Sequence, residues 1–410
     1  MNDVTELKQF VEVHGRILGI PGGRLAQVLG RIRHDEDGEA GSWAREWTEA
    51  GVELERQGRE VEAGRHFNIA RFPYVDGPAR ADAQARTVAS FDRWRLGDTS
   101  GIQRVDLDLS GGRVRCWAAG LAPRGGERAP VLLLSGGIVS VKEQFGPILA
   151  KAGRLGLAVV AVEMPGVGEN EQRYGAESHH MVSGILDALA DRADTDRTVA
   201  VMMSFSGHMA LRAALHDKRI QGVVTAGAPI GDFFTDAGWR PRVPRVTVDT
   251  LAHLTGLTPD TVLPGLADLA LTGDELAAIQ VPVAYTVSAR DEIIPPGDRL
   301  LLENHVRELR LLVHDDVHGS PSHVAESRLW SLRSALDALG GFGPQRRFLG
   351  LGLAAIRARE RLAGALGRTP DTPDTTGTTG TTGTTGTTIT SVTTSTTATT
   401  ATTATTGGDA

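Results

Sequence analysis

Short apolar runs alternate with helical segments through the middle of this chain, and this alternation restricts the fold more than any other feature. A hairpin comes first, with an alternating strand at 102–109, a Gly-Gly turn and a second strand from 114 to 119. The apolar runs that follow are 131–134, 157–163, 198–203, 222–226, 282–288 and 309–313. Continuous apolar runs are typical of strands buried on both faces. The pattern therefore predicts a mostly parallel sheet flanked by helices.

The run at 198–203 leads directly into a helical segment through Ser204, Ser206 and Gly207. In α/β-hydrolases a sharp strand–turn–helix holds the nucleophilic serine in a strained turn. Serine also caps helices commonly, so the alternative reading is that both serines only cap this helix.

Two registers are open for the nucleophile, because the usual small residues two before and two after it are incomplete. Ser204 is flanked by Met202 and Ser206, whereas Ser206 is flanked by Ser204 and His208, so each register contains one bulky residue. We favour Ser204, because the strand ends just before it. Gly207 then falls where a helix packed closely on a sheet needs a small side chain.

A serine nucleophile needs a base and a carboxylate that orients the base. In this fold the acid follows the serine in the chain and the histidine comes last. Asp291 follows the strand 282–288 and is our candidate for the acid, with Glu292 as the fallback.

Three histidines share the loop after the last strand. His314 is too close to the strand. His318 is followed by a glycine and lies where the base is expected, whereas His323 could open the final helix. We therefore rank His318 above His323 as the base.

An oxyanion hole needs two backbone N–H donors. The residue after the nucleophile, Phe205, is expected to supply one of them. The Gly-rich loop 135–139 is expected to supply the other, from Ile138 or, as second choice, Gly137.

Other ligand sites are poorly supported by the sequence. The motif Gly166-Val-Gly168 has no third glycine for dinucleotide binding, and no P-loop lysine is present. His179 and His180 are adjacent, and adjacent helix positions point in different directions, so we predict no metal site. We expect no cofactor.

These features predict an α/β-hydrolase fold with several parts. Residues 1–97 are rich in helix formers and are predicted to form a helical cap. Residues 98–345 form the catalytic domain, interrupted by a lid insertion at about 233–279. A C-terminal helix is expected at 346–368. The tail 369–410 consists almost entirely of Thr, Gly and Ala and is predicted to be disordered.

Two segments also resemble a known family. The sequences Gly-Gly-Ile-Val-Ser-Val-Lys-Glu at 136–143 and Glu-Met-Pro-Gly-Val-Gly-Glu at 163–169 resemble the fermentation-respiration-switch-like esterases. That group includes dihydroxypseudooxynicotine hydrolase and the fungal yellowish-green pigment hydrolases. The resemblance covers about 10–345 and implies a helical N-terminal cap.

The resemblance assigns Ser204, Asp291 and His318 to the nucleophile, acid and base positions. Met202 and Ser206 depart from the family's elbow glycines. Members of the group hydrolyse esters or cleave carbon–carbon bonds next to ketones, often in polyketide or aromatic-compound metabolism.

The composition of the chain limits the kinds of partner and the compartment that we expect. The formal net charge is −7 and no basic run is present, so we do not expect the protein to bind nucleic acid. The single cysteine, Cys116, excludes an intrachain disulfide and is expected in the core. No signal peptide or membrane span is recognisable, which favours the cytoplasm. We expect a small-molecule substrate, and the cap could support a homodimer.

Three functions are compatible with these residues. The first is a serine hydrolase that cleaves an ester or a ketone-adjacent carbon–carbon bond in a polyketide-like or aromatic metabolite. The second is a non-hydrolytic tailoring enzyme, such as a lyase or a cyclase, that uses the same pocket. The third is a binding protein on a hydrolase fold, which the ordered Ser, Asp and His argue against.

Overall fold

A computed structural model describes residues 2–97, 101–340 and 343–365 of the chain. The strands are β1 (Gln103–Leu109), β2 (Gly112–Ala119), β3 (Pro130–Ser135), β4 (Ala158–Val162), β5 (Asp194–Met202), β6 (Ile220–Ala226), β7 (Val283–Ser288) and β8 (Leu309–His314). Within the described residues these eight strands form one sheet in the order β1-β2-β4-β3-β5-β6-β7-β8. Strands β3 to β8 are parallel, and the hairpin joins the sheet antiparallel. The predicted fold class is confirmed.

Helices cover both faces of this sheet. Alternate residues of β3 enter different apolar clusters, Val131 and Leu133 one cluster and Leu132 and Leu134 the other. Successive side chains of a strand point to opposite faces, so the two clusters are the two layers of the core. The flanking helices are α6 (Gly146–Leu149), α7 (Ala152–Leu155), α8 (His180–Leu189), α9 (Phe205–His216), α14 (Pro296–His305) and α15 (Val324–Ala338).

The first 97 residues are helical. Their helices are α1 (Val4–Leu18), α2 (Gly22–Leu29), α3 (Trp43–Arg56), α4 (Glu60–Ala70) and α5 (Pro78–Leu96). Trp43 and Trp47 are fully buried in an apolar cluster that these helices share. A buried ion pair, Arg80 to Asp35 at 2.5 Å, lies in the same segment. The segment therefore has a core of its own.

The segment after β6 is also helical, with α10 (Asp232–Thr235), α11 (Arg245–Thr255), α12 (Pro259–Gly265) and α13 (Gly273–Ala278). It touches the N-terminal helices directly, because the backbone N–H of Val246 donates to the carboxylate of Glu6 at 3.0 Å. Val246 also packs into the apolar cluster of the N-terminal helices. The residues of the predicted lid thus lie against α1.

The C-terminal helix α16 is described over Gly343–Ala365, so it begins three residues before the predicted 346–368, and 366–368 lie outside the described residues. The tail predicted to be disordered, 369–410, lies outside the described residues. Cys116 is fully buried in β2, as expected, and burial raises the pKa of its thiol to about 12. In the part of the chain that the structure describes, no helix is long and apolar enough to cross a membrane.

Candidate active site

The turn between β5 and α9 holds Ser204 in a strained conformation. Its backbone angles are φ 56° and ψ −130°, a region of positive φ that non-glycine residues rarely adopt. Such strain costs on the order of 1–3 kcal/mol and persists only where neighbouring structure enforces it. Here the N–H of Ser204 donates to the carbonyl of Ala226 at 2.8 Å, and the N–H of Met203 donates to the carbonyl of Ser135 at 3.0 Å. The neighbouring strands thus fix the corner.

The two serines have different environments. Ser204 Oγ lies 3.4 Å from Nε2 of His318. Ser206 is fully buried, and its hydroxyl donates instead to the carbonyl of Met203 at 2.9 Å. Of these two hydroxyl groups, that of Ser204 is therefore the one that faces a histidine.

The turn at Ser204 forms without the usual small residues two positions before and after it. The crowded position lies one residue further along the chain, at Gly207 instead of Ser206. A Cβ on Gly207 would overlap Oγ1 of Thr225 in β6 and lie 2.8 Å from the carbonyl oxygen of Met202. Met202 points its own side chain into the sheet core, where it is fully buried. Its bulk is therefore accommodated, and Gly207 is the position where α9 needs a small residue.

His318 connects Ser204 to a carboxylate. Its Nδ1 lies 3.0 and 2.9 Å from the two oxygens of Asp291. Asp291 Oδ1 also accepts the backbone N–H groups of Ile293 and Ile294, both at 2.9 Å. The carboxylate is thus held from three sides, and Nε2 of His318 remains directed at the serine.

The alternatives from the sequence occupy other roles. Glu292 accepts the backbone N–H of His318 at 3.0 Å and does not contact the ring. His323 contacts Asp316 at 3.2 Å, and its ring stacks on His314 with centroids 4.2 Å apart. Among the described residues, His318 is the histidine brought within 3.4 Å of Ser204 Oγ.

The charges around His318 change its acidity. Burial disfavours the protonated ring, but Asp291 and Glu292 outweigh this effect and raise the pKa of His318 above its usual 6.5. A histidine acts as a base only when neutral. Activity that depends on this base should therefore rise with pH through a midpoint above 6.5.

We expect Glu292→Gln to lower the pH at which activity rises to half its maximum, the midpoint of the acidic limb of the pH profile. The substitution removes one negative charge that favours protonated His318. The amide oxygen can still accept the N–H of His318, so the backbone contact is preserved. The measurement is the pH profile of kcat/KM for wild type and variant, with Glu303→Gln, which removes an exposed carboxylate on α14, as the matched control. A limb that moves upward, or moves equally in both variants, would contradict this assignment of charges.

The loop after β3 lies against the serine. A Cβ on Gly137 would be 3.0 Å from Cβ and 3.4 Å from Oγ of Ser204, so a larger residue would crowd the serine. The backbone N–H groups of Ile138 and Phe205 have no hydrogen-bond acceptor among the described residues. Both predicted oxyanion donors thus remain unpaired within the described residues.

Sequence reasoning missed Gly227, the residue after β6. Its φ is 56°, and a Cβ there would lie 2.6 Å from Cε1 of His318 and 3.5 Å from Asp291 Oδ2. This glycine leaves room for the imidazole. The only signal was its position directly after the strand that neighbours β5.

A cluster of buried charges lies behind the loop. Lys142 is fully buried, and its Nζ contacts Glu163 at 3.2 Å, Glu169 at 2.8 Å and Glu143 at 3.1 Å. The backbone N–H of Lys142 also donates to Glu163 at 3.4 Å. A Cβ on Gly168 would overlap the Glu163 carboxylate. The cluster joins the residues after β3 to the loop after β4.

The buried cluster favours the charged form of Lys142 more than the charged form of Glu163. Burial raises the pKa of Glu163 to about 7, against the attraction of Lys142. Burial disfavours charged Lys142, but the three carboxylates outweigh it and raise its pKa. The ammonium group is therefore the charge that this cluster stabilises most.

A second buried cation connects the loop to the N-terminal helices. Arg71, directly after α4, donates from Nη2 to the carbonyl of Val139 and from Nε to Asn68. A cavity of about 40 Å³ lies beside it, lined in part by Tyr74, Ile138 and His253. The segment after α4, the loop after β3 and helix α11 thus meet at this cavity.

The two adjacent histidines are arranged differently from the prediction. The rings of His179 and His180 lie side by side with centroids 4.1 Å apart, because a 3₁₀ turn ends at His179 and α8 begins at His180. With Glu177 they are the one metal-type cluster found in the described residues. His180 is exposed and pairs with Glu177 at 2.9 Å, whereas Nδ1 of His179 bonds to the carbonyl of Ala176. Our argument that adjacent histidines must diverge was therefore wrong.

Comparisons with known proteins match this chain to esterases and hydrolases. The family described as Esterase FrsA-like matches residues 38–265. Esterase FrsA of Photobacterium profundum is 22% identical over 325 residues, which are 70% of this chain and 75% of that protein. Hydrolase acrC of Aspergillus aculeatus is 27% identical over 250 residues, and the match spans 58% of its length and 50% of this chain.

Solved structures agree with these relatives. The structure of AbyA5 Wildtype is 51% identical, with a TM-score of 0.83, and the match covers 87% of this chain and all of that chain. The 2,6-dihydroxy-pseudo-oxynicotine hydrolase is 20% identical with a TM-score of 0.60, over 80% of this chain and 94% of that chain. The latter likeness supports the fold alone. The resemblance seen at 136–143 and 163–169 is thereby confirmed.

Proposed function

Because the chain belongs to the FrsA-like esterase family, we propose that this hydrolase is a serine esterase whose catalytic triad is Ser204, His318 and Asp291. The observation that carries the proposal is the chain of contacts from Ser204 Oγ through His318 to Asp291, at a corner with positive φ. Strain, base and orienting carboxylate converge on one hydroxyl.

The proposed mechanism follows from this geometry. His318 Nε2 takes the proton of Ser204 as Oγ attacks the substrate carbonyl. Asp291 orients the ring and stabilises its protonated form. The N–H groups of Phe205 and Ile138 hold the oxyanion. His318 then donates its proton to the leaving group, and water attacks the acyl-enzyme to release the acid.

The roles of the surrounding segments are part of the proposal. Residues 1–97 act as a cap and 233–279 as a lid, so both shape the substrate pocket. Two contacts support this assignment, because the bond from Val246 to Glu6 joins the two segments and the bond from Arg71 to Val139 reaches the loop that follows β3. We propose a small, polyketide-like or aromatic metabolite as substrate, cleaved at an ester or at a carbon–carbon bond next to a ketone.

Water labelled with oxygen-18 tests the reaction type on para-nitrophenyl butyrate and on candidate metabolites. Hydrolysis through an acyl-enzyme places one labelled oxygen in the released acid, whereas elimination of a carboxylate leaves its original oxygens unchanged. We expect label in the acid and stoichiometric labelling of the protein by a fluorophosphonate. An unlabelled acid together with an alkene product would instead favour the tailoring lyase.

A further inference from the structure

One face of helix α1 lies over the triad. Phe10, His14 and Ile17 are spaced so that they share this face. Phe10 packs against both the sheet core and the core of the N-terminal helices. Ile17 Cδ1 lies 3.6 Å from the position of a Cβ on Gly319, the residue after the proposed base. The turn between these contacts carries His14.

His14 packs against Phe72 and lies within electrostatic reach of His318 and Arg71. Its ring packs on Phe72, with centroids 5.3 Å apart. Burial, reinforced by the positive charges of His318 and Arg71, lowers the pKa of His14 to about 4. The imidazole is therefore neutral at physiological pH.

The ring nitrogens of His14 are available to a ligand. Neither nitrogen forms a hydrogen bond with another described residue, and neither is a fully buried atom. The side chain keeps part of its surface accessible although the ring is deep in the protein, and His318, with 18% of its side chain accessible, does the same. Because the nitrogens are not fully buried, water or a substrate hydroxyl can pair with them.

We propose that His14 is a substrate-contacting residue that forms a hydrogen bond with a hydroxyl group of the substrate. The inference deepens the proposed function and rests on it. A neutral imidazole offers one donor and one acceptor, and a hydroxyl can pair with either nitrogen. A carbonyl could use only the donor, and the site already supplies donors at Arg71 and at the oxyanion loop. A cation would be repelled by Arg71.

Two pairs of esters test this contact. Para-nitrophenyl butyrate and its β-hydroxy analogue differ by a hydroxyl on the acyl side, whereas phenyl acetate and resorcinol monoacetate differ by one on the alcohol side. For each pair we compare the ratio of kcat/KM, hydroxylated to plain, between wild type and variants. His14→Phe keeps a ring against Phe72 without polar atoms, and His14→Gln restores a donor and an acceptor.

We expect the ratio for one pair to fall about tenfold in His14→Phe, as for the loss of one hydrogen bond, and to recover in His14→Gln. The control His180→Leu removes an exposed imidazole and should leave the ratio at its wild-type value. If His14→Phe does not fold, His14→Leu replaces it. A ratio unchanged by the apolar variant, or an equal fall in both variants, would overturn the proposal. Absence of fluorophosphonate labelling in wild type would instead count against the esterase assignment.

Discussion

Ser204→Ala is expected to lower kcat for ester hydrolysis by at least about 10³-fold, because the residue supplies the hydroxyl that faces His318. Covalent labelling by a fluorophosphonate should disappear with it. His318→Ala should have a similar effect, and the double variant should lose little more, since the two side chains act as a unit. The measurements are steady-state kinetics on para-nitrophenyl butyrate and intact-protein mass after labelling.

Ser206→Ala is the matched control. This hydroxyl bonds to the carbonyls of Met203 and Ser135 and is fully buried. Alanine fits the same space, so most of the labelling and turnover should remain. Labelling that follows Ser206 would show that the nucleophile lies two residues further along the chain. Turnover unaffected by either substitution would reject the triad altogether.

Lys142→Met is expected to cost about 3–5 kcal/mol of the free energy of unfolding, the usual range for breaking a buried ion pair. Methionine can follow the path of the lysine stem, so packing changes little. The loss arises because Glu163 is fully buried, so without the ammonium group it must either keep an uncompensated charge or take up a proton. Denaturant titration measures the difference.

Two further variants separate charge from packing. The exposed Lys151→Met should change the free energy of unfolding by less than about 0.5 kcal/mol. Adding Glu163→Gln to Lys142→Met should recover part of the loss, because the uncompensated carboxylate is gone. Equal stabilities for Lys142→Met and Lys151→Met would show that the buried lysine contributes no net stability.

The fold class was predictable because most of its strands are continuous apolar runs that alternate with helices, whereas the order of the strands in the sheet came only from the structure. The positions of Ser204, Asp291 and His318 followed from the same logic, since parallel strands end at one edge of the sheet. The structure brings these three side chains together; their catalytic roles remain our proposal.

Other features depend on distances that no local pattern encodes. The sequence does not show that Gly227 faces His318 or that Glu292 binds the backbone of His318. His14 is the clearest case, because it lies 304 positions before His318 in the sequence and approaches it only through the packing of α1.

The bond from Arg71 to the carbonyl of Val139 has a consequence for building hybrids of this protein with its relatives. A crossover near residue 97, between the helical segment and the sheet, would take Arg71 from one parent and the loop that contains Val139 from the other. Swaps intended to transfer substrate preference should therefore carry residues 60–75 and 136–143 from the same parent. Hybrids built in that way keep the hydrogen bond from Arg71 to Val139, whichever parent supplies the other residues.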